Sequence, residues 1–223
     1  MAEECAGWAS LIRVAITVEG LTERVFVNQV LAPHLETREI YSSTVLLGRS
    51  ARRVGVGGNV TIDRLAADMV SNYHRFDFVT SLVDFYGFRD KGTRSVGELE
   101  QAITQEVEKR IQRNWDERKV ISYVQQHELE GLLFAQVDGF ASVPGADDSV
   151  LVQLARVRAQ FSSPEEINDN PDTAPSKRIM QVLPDYVKTI DGPQIAQAIG
   201  LGAIRQECPR FDSWVTRLES LSA

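Results

Sequence analysis

Polar and apolar positions alternate along the chain between short apolar runs and longer stretches of helical spacing, the pattern of an α/β protein. Leu11 to Val18, LIRVAITV, is rich in β-branched residues and short enough for a buried strand, and Gly20 then allows a sharp turn. Glu19 therefore falls at the carboxyl end of a strand. Thr22 is placed to cap the helix that follows, and Glu23 lies in its first turn, at the positive end of the helix dipole. Val25, Phe26, Val30 and Leu31 form an apolar stripe that Pro33 brings to a close.

Ser43 to Leu47 reads as a second strand, and a helix is predicted from about Val60 to Tyr73. Phe76 to Val83 is a third strand, ending in Asp84-Phe85-Tyr86-Gly87-Phe88, so a second carboxylate arrives at a strand end just ahead of a glycine. Val96, Leu99, Ile103, Val107 and Ile111 mark a helix over Ser95 to Asn114. Val120 to Val124 is the fourth strand. His127-Glu128-Leu129-Glu130 follows and leads into a helix that turns Leu129, Leu132, Leu133 and Phe134 inward.

Asp138 to Asp148 is turn-rich, and a helix from about Val150 to Phe161 comes next. Ser162 to Pro175 is either a flexible linker or an ordered loop that delivers Ser176-Lys177-Arg178 to the acidic edge. From Gly192 onward, short helices carry Ile195, Ile199, Phe211, Trp214 and Leu218, enough to dock them on the sheet. Parallel strands joined by crossovers expose all their carboxyl ends on one edge. The expected fold is thus α/β, a mainly parallel four-stranded sheet flanked by helices. Residues 1–140 form its core and 141–223 a helical extension packed on it.

Composition removes several classes. Cys5 and Cys208 are too few and too far apart for a disulfide framework or a zinc site, which favours reduced thiols and the cytoplasm. No apolar stretch reaches the roughly 20 residues of a membrane span, and the amino terminus lacks a signal-like core. The net charge of -7 repels polyanions as a whole, so nucleic-acid binding needs a local basic patch or metal ions held by the acids. The glycine-rich stretch from Gly48 to Asn59 carries Arg49, Arg52 and Arg53. It lacks the Gly-Lys-Ser/Thr ending of a nucleotide P-loop, leaving a basic loop on a nucleic-acid backbone or a solvated connection.

Glu19, Asp84 and the pair Glu128/Glu130 come from different strand ends yet are expected to converge. Carboxylates brought together repel one another unless protons or cations intervene, and oxygen-only ligands suit magnesium or manganese. His127, beside two acids, either relays a proton, ligates a metal or makes a structural hydrogen bond. Pro175 and Ser176 make a plausible helix start, where free amides bind phosphate and Lys177 adds a point charge able to offset charge building in a transition state. A solvated cap with ordinary surface charges is the alternative.

Val18-Glu19-Gly20 with Thr22-Glu23, and Leu82-Val83-Asp84 before Tyr86-Gly87, resemble the TOPRIM domain of topoisomerases, primases and overcoming-lysogenization-defect nucleases. His127 to Glu130, Ala174 to Arg178 and the tail from Ile199 to Trp214 extend the likeness to an uncharacterised TOPRIM-like family often encoded beside ATPases in bacterial defence neighbourhoods. The resemblance implies a magnesium- or manganese-dependent nuclease acting on DNA or RNA in anti-phage defence, with an ABC-type or AAA ATPase as partner. In it Glu19 matches the glutamate that serves as ligand or general acid/base, and Asp84 the first aspartate of the Asp-x-Asp motif. Tyr86 occupies the place of the second aspartate, and Glu128 or Glu130 is expected to supply the missing oxygen. Lys177 and His127 are the further catalytic candidates, and Arg49, Arg52, Arg53, Ser176 and Arg178 the nucleic-acid contacts. A domain that binds without cutting is the alternative reading.

Overall fold

A computed structural model describes residues 11–48, 60–168 and 173–222. Strands β1 (Ile12–Val18), β2 (Ile40–Leu46), β3 (Phe78–Asp84), β4 (Val120–Ile121) and β5 (Val124–Gln125) form one parallel sheet in the order β2-β1-β3-β4, with β5 also on β3. The predicted fourth strand is present but interrupted. Val79 pairs with Val120 and Val83 with Val124, so the register is the same on both sides of the gap. At the gap the Ser81 hydroxyl donates to the Tyr123 carbonyl and accepts from its N–H, at 2.9 and 3.1 Å, in place of the ladder.

Side chains alternate across the sheet as the two-residue period requires. Val14, Ile16, Val18, Ile40, Leu82 and Ile121 face one core, shared with Phe26, Leu35, Ile195, Ile199, Phe211 and Trp214. Ala15, Val79, Val83, Val120 and Val124 face a second core, completed by helices α3 (Ile62–Tyr73) and α4 (Val96–Ile111). Residues from beyond position 140 therefore fill the same core as the central strand. The last helix is tied in by polar contacts too: Trp214 Nε1 donates to Thr80 Oγ1 at 2.9 Å, its ring stacks on Tyr123 at 4.6 Å, and Arg210 pairs with Glu100 at 2.7 Å.

The structure departs from the sequence reading at several points. Pro33 does not end the first helix: α1 (Leu21–Phe26) runs through a π-helical turn at Val27–Leu31 into α2 (Ala32–Glu36). In the π turn the Ala32 N–H bonds to the Val27 carbonyl five residues back. The Gln29 carbonyl, which a proline at position 33 cannot serve, receives the Gln197 side-chain amide at 3.5 Å instead. The helix is capped by Gly20 rather than Thr22, and β2 starts earlier, at the fully buried Ile40. The segment after Glu128 is a 3₁₀ helix, Leu129–Ala135, followed by a second at Val137–Ser142 where a loop was expected.

The strand order fixes where a ligand can sit. The connection from β1 leads outward to β2, whereas β3 leads outward to β4 in the other direction. Strand order thus reverses between β1 and β3, and the crevice beyond their carboxyl ends is the topological switch point of the sheet. Glu19 immediately follows β1 and Asp84 is the last residue of β3.

Candidate functional site

At that crevice a cleft of about 430 Å³ is lined by Glu19, Glu23, Asp84 and Glu128, with Lys188 and Arg89 among its walls. Each acid is placed by a local device. Glu23, in the first turn of α1, reaches back so that its Oε2 accepts the Gly20 N–H at 2.8 Å, half of a capping box. Asp84 Oδ1 accepts the Leu129 N–H at 2.9 Å. Glu128 Oε2 accepts the Ser176 N–H at 3.0 Å, at the start of α6 (Pro175–Val182). Glu19 lies over Gly87: a Cβ there would come within 3.0 Å of its carboxyl carbon and collide with Oε2, so the bare backbone is what admits the carboxylate.

Glu130 sits deeper, 3% exposed, with its Oε1 3.1 Å from Lys188 Nζ. Lys188 is the first residue of α7 (Lys188–Ile199) and also lies 3.7 Å from Glu128 Oε1. Although Glu130 Oε1 is within ion-pair distance of the ammonium, it has no partner in hydrogen-bonding geometry.

Burial and crowding govern ionisation here. Asp84 is pushed well above the usual carboxylate range by desolvation first, then by Glu23, Glu130, Glu128 and Glu19 around it. Burial raises Glu23 and Glu130 as well. Burial alone would depress Lys188, but Glu130, Glu128 and Asp84 outweigh it and hold the ammonium more firmly protonated than in water.

The cluster gathers four sequence-derived candidates, Glu19, Asp84, Glu128 and Glu130, and leaves others outside. His127 has a left-handed backbone, φ 64°, and stacks on Tyr86 with ring centroids 5.4 Å apart. Burial lowers its pKa against the pull of Glu128, and Asn168 contacts both its Nδ1, at 3.4 Å, and the Tyr86 hydroxyl. Lys177 is exposed and does not line the cleft. Ser176 is buried, and its amide, expected to meet phosphate, is engaged by Glu128. Arg178 donates to the Thr173 carbonyl and covers the Phe161 ring. Arg49, Arg52 and Arg53 lie outside the described residues.

Sequence reasoning passed over Lys188 and Arg89. Only the packing of α7 against α1 brings Lys188 to strand ends so distant in sequence, and no local motif announces it.

The fold and cleft define an α/β protein with an acidic crevice at the switch point of a parallel sheet. Residues 18–219 match the model of the family described as a domain of unknown function, DUF4276, and the chain belongs to that family. No curated protein and no solved structure matches it significantly. Among the described residues no helix is long and apolar enough to cross a membrane.

Proposed function

We propose that the chain is a divalent-cation-dependent nuclease, or a related phosphotransfer enzyme, acting on phosphodiesters of DNA or RNA. The observation that carries this reading is the gathering of Glu19, Glu23, Asp84 and Glu128 at the switch point, with Glu130 buried beside them. The donor set is all oxygen, as magnesium or manganese prefers. Two further features suit a cation: the buried Glu130 Oε1 lacks a hydrogen bond, and Gly87 leaves room for the Glu19 carboxylate. Glu19, Asp84, Glu128 and Glu130 would hold the ion, which when bound polarises phosphate oxygens and lowers the pKa of a water.

The protein's own groups do the rest. Arg89 at the cleft wall draws in the phosphodiester backbone, countering a net charge of -7 that otherwise repels it. Glu19, seated over Gly87 at the mouth of the crevice, takes the proton of the attacking water. Tyr86 and His127, stacked and joined through Asn168, fix the turn that carries Gly87 and so position Glu19 without touching the reacting atoms.

A second reading, a subunit that binds nucleic acid or a partner ATPase without cutting, is favoured by a specific pair of observations. Tyr86 stands where the TOPRIM pattern has its second aspartate, and among the described residues no three acids form a ready-made ligand set. Labelled DNA and RNA incubated with the protein, with and without magnesium or manganese, separate the two. Cleavage that chelation and Asp84→Asn both abolish supports the nuclease. Retained binding with intact substrate under every cation supports the subunit.

A further inference from the structure

We infer that Lys188 is a built-in counter-cation of the acid cluster, whose ammonium stands in for a divalent ion between Glu128 and Glu130 and swings out when the ion binds. This rests on the proposed binding of a divalent cation by the cluster. Cation binding is then an exchange of one charged group for another rather than an addition to an empty site.

The geometry points to a stand-in rather than a structural ion pair. One ammonium serves two carboxylates, at 3.1 Å from Glu130 and 3.7 Å from Glu128. A buried pair built for stability satisfies its remaining lone pairs with directed bonds, because desolvation otherwise outweighs the attraction. Here the buried Glu130 Oε1 has the Lys188 ammonium at 3.1 Å as its counter-charge, so a coordination position is vacated when the ammonium leaves. The other acids meanwhile are engaged by backbone amides, Glu23 by Gly20, Asp84 by Leu129 and Glu128 by Ser176. This accounts for a cluster rich in carboxylates that nonetheless presents no assembled ligand set among the described residues.

Lys188 also has a way out. Its side chain is 39% exposed, so the ammonium reaches water without unfolding of the helix. Val187, which caps α7, and Ile190 in its first turn are 46% and 64% exposed, so these apolar side chains do not pin the turn. A long flexible stem with a strongly hydrated head suits a group that alternates between pocket and solvent.

Two measurements on the full chain test the exchange. The first is manganese binding by calorimetry to the parent, Lys188→Met and Lys188→Arg. Relief of the competition should tighten binding in Lys188→Met about tenfold, the change that ~1.4 kcal/mol produces, while Lys188→Arg stays near the parent. The second needs no variant: acetylation of Lys188 by a small anhydride, followed by mass spectrometry, should speed up severalfold when manganese is added, because the ammonium leaves the cluster. Equal or weaker manganese binding by a folded Lys188→Met, or a Lys188 that manganese leaves equally protected, overturns the exchange while leaving the metal site standing. Absence of manganese binding in all three proteins overturns the exchange together with the proposed metal dependence.

Discussion

Glu128 accepts the backbone N–H of Ser176 at 3.0 Å, so a carboxylate from the end of the sheet closes the first turn of α6. The helix start that appeared open to a phosphate already holds an anion of the protein itself. Hydrogen bonds to charged groups contribute about 1.5–3 kcal/mol, and Glu128→Ala is expected to destabilise the fold within that range. Ser176→Ala keeps the amide and should cost less through this contact. Urea unfolding of both variants checks the difference.

Asp84 gives the site its pH dependence. An acid whose pKa is higher folded than unfolded binds its proton more readily in the folded chain. Its ionisation therefore costs stability as pH rises from the ordinary value of 3.8 through the raised one. Asp84→Asn removes that cost, and the stability gap between variant and metal-free parent should widen with pH across this window. His127, whose pKa is lowered, acts in the opposite sense, but it is common to both proteins and drops out of the difference. Thermal melts from pH 4 to pH 9 read the gap directly, and a gap that narrows with pH contradicts the assignment.

Gly87 admits the Glu19 carboxylate, so Gly87→Ala should push that carboxylate away with no backbone strain of its own. Overpacking of this kind costs about 1–3 kcal/mol. Cleavage, if Glu19 is the proton acceptor, should fall at least about a hundredfold, the scale on which positioned general bases act. The same substitution made over Glu19→Gln should add little further loss. Kinetics of the two single variants and the double variant measure that coupling.

Lys177 lies exposed on α6, outside the cleft. Lys177→Ala is expected to leave stability within about ±0.5 kcal/mol of the parent. If Lys177 meets the nucleic-acid backbone, its loss weakens binding and lowers the salt slope by about 1, with turnover at saturation unchanged. Binding titrations at several salt concentrations check this. A loss confined to turnover would move Lys177 into the chemistry.

The parts of the fold legible in sequence are those where local pattern and tertiary role agree. Ile12–Val18 and Phe78–Asp84 are apolar because both faces of the strands are covered, and their terminal acids mark where cover ends. The α4 helix carries a five-residue apolar stripe and a Ser95–Glu98 capping box, so its start can be read closely, while its end falls at Ile111 rather than at the expected Asn114. What escaped depends on distant partners. Pro33 reads as a helix stop unless the Gln197 amide is known to meet the Gln29 carbonyl. Lys188 reads as a surface lysine unless α7 is already docked on α1, and the Ser176 amide reads as free unless Glu128 is already beside it.

The π turn at Val27–Leu31 has a consequence for which residues can be lost. The wide turn absorbs one residue more than an α-helical turn, so Phe26 before it and Leu35 after it meet the same core as residues one position closer together do in a regular helix. Asn28 is exposed and contributes little packing of its own, and its substitution by Ala should be mild. Deleting it should be tolerated as well. The helix would rewind to regular α geometry one residue shorter, and the fully buried Leu35 would keep its place on the core. The position counts for its length along the chain rather than for its side chain, and a family member lacking one residue here can keep α2 packed against β2.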